Sequence, residues 1–99
     1  MERHPDIEPT HPGEILRDDV LPALRKSQTE IAKLLHISRQ TLHAILSEQA
    51  PITPRMAVKI GKLCGNGPEL WVNLQAAYDL WHAKREVKTD DIPTLEAVA

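Results

Sequence analysis

Residues 27–46, SQTEIAKLLHISRQTLHAIL, carry two helix-start signals eleven residues apart. Ser27 with Glu30 three residues on forms a capping box, in which each side chain satisfies the other residue's backbone N–H. Ser38 is a second N-cap. Ile31, Leu34 and Leu35 are spaced as one apolar face, and Leu42, Ile45 and Leu46 as another. His36 occupies the short turn and Ile37 anchors it in the core. A link this short forces the two helices to cross steeply, and the small Ala32 lets them approach closely.

The rest of the chain reads as helices around this pair. Residues 1–10, with Pro5 and Pro9 and no periodicity, are expected to be a flexible N-terminal segment. A first helix opens near Pro12, turns Ile15, Leu16 and Val20 inward and Glu14, Asp18 and Asp19 outward, and is ended or bent by Pro22. Thr53 and Pro54 start a fourth helix, whose inner stripe is Met56, Ala57, Ile60, Leu63 and Cys64. The GNGP at 65–68 ends it. A fifth helix runs from about Pro68 to Lys84. Leu70, Trp71, Leu74, Tyr78 and Trp81, together with Val72, Ala77 and Leu80, cover so much of its circumference that a second apolar contact is expected beside the core. In the tail, 85–99, Ile92, Leu95 and Val98 have helical spacing interrupted by Pro93. The expected organisation is an all-α domain over 11–84, with a tail over 85–99 associated with a dimer contact.

Composition narrows the function classes. A net charge of −2 argues against a polyanion partner, but its distribution argues for one. Between Arg25 and Lys62 the balance is +5, and over the remainder −7. Such a basic middle matters more to a nucleic acid than the total does. No apolar run approaches the roughly 18 residues of a membrane span, and the N-terminus lacks the apolar segment of a signal peptide. The lone Cys64 fits a reducing bacterial cytoplasm and a core position. The five histidines show no metal-ligand spacing, and no phosphate loop is present. We therefore expect no enzyme, no metal and no cofactor.

In a helix-turn-helix the second helix enters the DNA major groove and its first turn meets base edges. That turn offers Ser38, Arg39 and Gln40, with His43 one turn later. Arg39 suits guanine O6 and N7, and Gln40 suits adenine N6 and N7. His43 either reads a base or packs over the turn. Gln28, with the N–H groups of its helix start, and Thr41 are candidates for phosphate contacts, as are Lys33, Arg25 and Lys26.

Residues 27–46 resemble the helix-turn-helix of the phage-repressor-like (Xre/Cro) family. With HPGEIL (11–16) before them and ITPRMAVKIGKL (52–63) and PELWVNLQAAYDLW (68–81) after, they are similar to the HigA-type, VapI-like antitoxins of bacterial toxin–antitoxin modules. The resemblance implies a five-helix, lambda-repressor-like homodimer that neutralises a HigB-type, mRNA-cleaving toxin. It also implies repression of the protein's own operon at a palindromic operator, in the cytoplasm at the nucleoid. The family's base-reading positions fall on Ser38, Arg39, Gln40 and His43, and its phosphate-contacting glutamine on Gln28. Three positions depart from the family pattern. His36 stands for the usual turn glycine, Ser47, Glu48 and Gln49 for the common NGK, and Gly67 for a Ser/Thr cap. A stand-alone repressor of the same fold, without a toxin, and an interaction module that has lost DNA binding are the alternatives.

Overall fold

In a computed structural model, residues 6–96 are described; the expectations for residues 1–5 and for Val98 lie outside them. Among the described residues the chain forms five helices and no strand. The first, α1 (12–24), is α-helical over Pro12–Ile15, widens to a π-turn over Leu16–Val20 and returns to α-helix over Leu21–Leu24. Then follow α2 (Gln28–Leu34), α3 (Arg39–Leu46), α4 (Pro54–Cys64) and α5 (Pro68–Glu86). This is the lambda-repressor-like arrangement.

The caps behave as local chemistry dictates. Ser27 Oγ accepts the Glu30 N–H at 3.1 Å, and the Ser27 N–H donates back to Glu30 Oε1 at 3.4 Å. Thr53 Oγ1 accepts the Met56 N–H at 3.2 Å. Pro22 does not end α1. The π-turn hands the Leu21 N–H to the Leu16 carbonyl, so Pro22 falls in the first turn of a new α-helical segment, where no N–H is needed.

The core is Leu16, Leu21, Ile31, Ala32, Leu35, Leu42, Ile45, Leu46, Ile52, Ala57, Ile60 and Trp71. Ile15, Val20, Ile37, Met56, Leu63, Cys64 and Leu74 pack against it, half-buried. Leu34 is the exception to the expected face, at 51 % exposed. At about 100° per residue, Ile31, Leu35 and Ala32 fall within one arc and Leu34 about 60° outside it. Burial keeps the half-buried Cys64 thiol above its usual range.

Two glycines set close approaches. A Cβ on Gly13 would lie within bonding range of the Ile45 carbonyl oxygen, so the start of α1 is pressed against the backbone of α3. A Cβ on Gly61 would meet the Gly67 carbonyl carbon, which fixes the start of α5 against the end of α4. Helix α5 then continues for 19 residues and gives the molecule a long axis of 53 Å against 29 Å across. From residue 87 to residue 96 the chain is not helical, and Ile92 and Leu95 are exposed.

Candidate nucleic-acid interface

Helices α2 and α3 are joined by a turn whose His36 has φ +57°, the left-handed conformation that the family meets with glycine. His36 donates its backbone N–H to the Lys33 carbonyl and Ile37 donates to the Ala32 carbonyl, closing α2. Ser38 then starts α3, its Oγ accepting the Thr41 N–H at 3.0 Å and donating to Thr41 Oγ1 at 2.8 Å. Both hydroxyls are therefore engaged with each other. Arg39, Gln40 and His43 stand exposed, while Leu42, Ile45 and Leu46 are buried beneath them.

The turn between α2 and α3 brings together residues that are distant in sequence. Gln28 from the first turn of α2, Arg39, Gln40, His43 and Ala44 from α3, and Gln49 after it line one open concavity of about 420 Å³. Lys26 and Gln28 also line a neighbouring notch of about 190 Å³ with Arg17. Arg25 is exposed in the α1–α2 link at φ +54°, and Lys33 is exposed on α2; both lie outside the concavity. Of the five α5 residues expected in core or dimer packing, Trp71 is fully buried, Leu74, Tyr78 and Trp81 are half-buried, and Leu70 is exposed.

Arg17 is a residue that sequence reasoning missed. Its Nη1 donates to the Leu46 carbonyl at 2.9 Å, at the C-terminal end of α3, and lies 3.5 Å from Glu48 Oε2. Its Nε and Nη2 grip both oxygens of Asp18, at 2.8 and 3.0 Å. The pair holds the Arg17 guanidinium above its ordinary range and the Asp18 carboxyl below its own. Arg17 thus ties α1 to the end of the exposed helix. It also holds Glu48, which sits in the left-handed region at φ +65° where the family's NGK has glycine, against a positive charge. No pattern around residue 17 signals partners 29 and 31 positions away.

The helix-turn-helix family profile matches residues 21–71. The chain belongs to the helix-turn-helix family. It is 35% identical over 92 residues to the HTH-type transcriptional regulator YbaQ of Escherichia coli (strain K12), covering 92% of this chain and 81% of that one. Among solved structures it is similar to an addiction-module antidote protein of the HigA family from Coxiella burnetii. That likeness has a TM-score of 0.80 at 35% identity and covers 91% of this chain and 100% of that one. The Pseudomonas aeruginosa antitoxin HigA, solved with the higBA promoter, superposes with a TM-score of 0.73 at 34% identity, over 82% of this chain and 97% of that one. The chain is a DNA-binding regulator of this antitoxin-like kind. No helix among the described residues is long and apolar enough to cross a membrane.

Proposed function

We propose that this protein is the antitoxin of a HigB/HigA-type module, binding and neutralising an mRNA-cleaving toxin and repressing its own operon as a homodimer on palindromic DNA. The observation that carries the DNA-binding half is the concavity shared by Gln28, Arg39, Gln40 and His43, which gathers donors and acceptors from two helices on one open surface. In this reading Arg39 and Gln40 read bases and His43 touches the next base step. Ser38 and Thr41 act mainly through their mutual cap, which takes up the Thr41 N–H and fixes the start of α3. Gln28, Lys26, Arg25 and Lys33 contact phosphates. Two copies would set their α3 helices about 34 Å apart, one turn of DNA, through the apolar side chains that α5 leaves uncovered. The tail over 85–99 belongs to that contact. The proteins named HigA among the structural neighbours support the toxin half.

The experiment is a mobility shift on the DNA upstream of the gene, paired with co-purification of the product of the adjacent reading frame. A shifted band and a co-purifying basic partner are expected. A shift without any toxin-like partner would favour the stand-alone repressor, the reading to which the relative named as a transcriptional regulator points. Absence of any shift would sink the DNA-binding reading.

A further inference from the structure

The misplaced Leu34 opens onto a second groove, of about 280 Å³, formed by Leu34, Leu35, His36, Lys59, Lys62 and Leu63. Leu35 is its buried floor and Leu34 an exposed wall. Lys59 Nζ lies 3.5 Å from the His36 carbonyl oxygen and closes one end, and Lys62 stands exposed one turn further along α4. The groove is therefore apolar within and cationic at its rim.

The same chain carries a segment of complementary chemistry. In the tail, Asp90 and Asp91 precede Ile92, and Glu96 follows Leu95. Ile92 is 62% and Leu95 85% exposed, so two aliphatic side chains stand in water between acidic flanks. In this structure they do not occupy the groove of their own chain: both are exposed and neither lines it.

We propose that the groove between α2 and α4 receives the acidic-apolar tail of a second copy, Ile92 and Leu95 entering between Leu34 and Leu63 while Asp90 and Asp91 meet Lys59 and Lys62. The contact is reciprocal in a twofold pair, so each copy gives one tail and one groove. It deepens the reading of the protein as a dimeric regulator, and rests on it, by naming where the tail binds.

The test is the self-association of the full chain without DNA, measured by sedimentation equilibrium. Asp90→Lys with Asp91→Lys, and separately Lys59→Glu with Lys62→Glu, are each expected to weaken self-association by about tenfold, because facing like charges replace opposite ones. The four substitutions together are expected to recover most of the loss. Ile92→Ser with Leu95→Ser, on side chains already in water, is expected to weaken it with the circular dichroism spectrum unchanged. Self-association unchanged by every variant overturns the proposal, whether the groove is empty or holds another protein. So does a wild type that is monomeric throughout, or charge reversals that weaken without mutual recovery. A mobility shift on wild-type protein separates the two levels: DNA binding with tail variants that associate normally removes only the tail contact, whereas no DNA binding removes the reading beneath it.

Discussion

The side chain of Gln75 holds the backbone of Ile52: its Oε1 accepts the Ile52 N–H at 2.8 Å, inside the core between α5 and the segment that leads into α4. Its Nε2 donates to Asp79 Oδ1 at 2.9 Å. Gln75 is 6% and Ile52 2% exposed, so water does not replace the bond if it is lost. Gln75→Leu keeps the volume and removes the acceptor. It is expected to cost about 1–3 kcal/mol, the penalty of a buried unpaired N–H. Urea unfolding should show a lower midpoint with an unchanged slope. A midpoint equal to wild type would mean that the N–H finds another partner.

His36 marks a different economy. Its left-handed backbone costs a β-carbon-bearing residue roughly 1–2 kcal/mol, and the contact that Lys59 makes with it is to its backbone carbonyl. His36→Gly keeps that carbonyl and relieves the strain, while the looser unfolded chain returns about 0.4–1 kcal/mol. A net gain of about 0.5–1 kcal/mol is expected, raising Tm by a few degrees for a domain of this size. DNA affinity should stay as it was, since the side chain is not part of the concavity. A lower Tm would show that the imidazole makes a stabilising contact of its own.

Acid should weaken the start of α1. His11 is its N-cap, Nδ1 accepting the Gly13 N–H at 2.9 Å, with the ring edge-on to Tyr78 and 4% exposed. Burial pushes the imidazole below its ordinary 6.5, against the upward pull of Glu48, Asp79 and Glu14. The folded state therefore holds His11 neutral, while the unfolded chain takes up a proton near 6.5. The stability linked to this residue is complete above that value and is lost as pH falls from there toward the lower folded value. A proton on Nδ1 also removes the cap acceptor. His11→Asn, which can still cap, should flatten the loss of stability below pH 6.5 relative to wild type. An identical pH profile for both would remove His11 from the acid response.

What could be read from the chain was what neighbours in sequence decide. The caps at Ser27, Ser38 and Thr53 and the faces of α3 and α4 are set within one helical turn, and the structure has them as expected. Leu34 was misread because its period matches the core face while its azimuth does not. Gln75, a polar residue in an apolar run, gave no sign that it serves a backbone group 23 residues away. Arg17 stayed hidden for the same reason. The candidate interface was legible one helix at a time. That Gln28 shares a concavity with Arg39 and His43 depends on how the whole core seats α2 against α3, which the short link constrains but does not set.

Lys33 and Arg39 are both exposed cations of the helix pair, yet they should fail differently. Arg39 lines the concavity, and a base edge offers its two-pronged donor a specific partner. Arg39→Ala is expected to lose about 1–3 kcal/mol on the preferred operator and to relax one base position, leaving binding to unrelated DNA nearly unchanged. Lys33 lies outside the concavity, and the proposed role for it is a phosphate contact. Lys33→Ala should weaken preferred and unrelated DNA alike and reduce the slope of log affinity against log salt by about 1, one counterion fewer being released. Titrations of both DNAs at several salt concentrations decide between the roles. If Lys33→Ala leaves the slope where it was, the lysine makes no phosphate contact; if Arg39→Ala lowers both affinities in proportion, the guanidinium meets the backbone rather than a base.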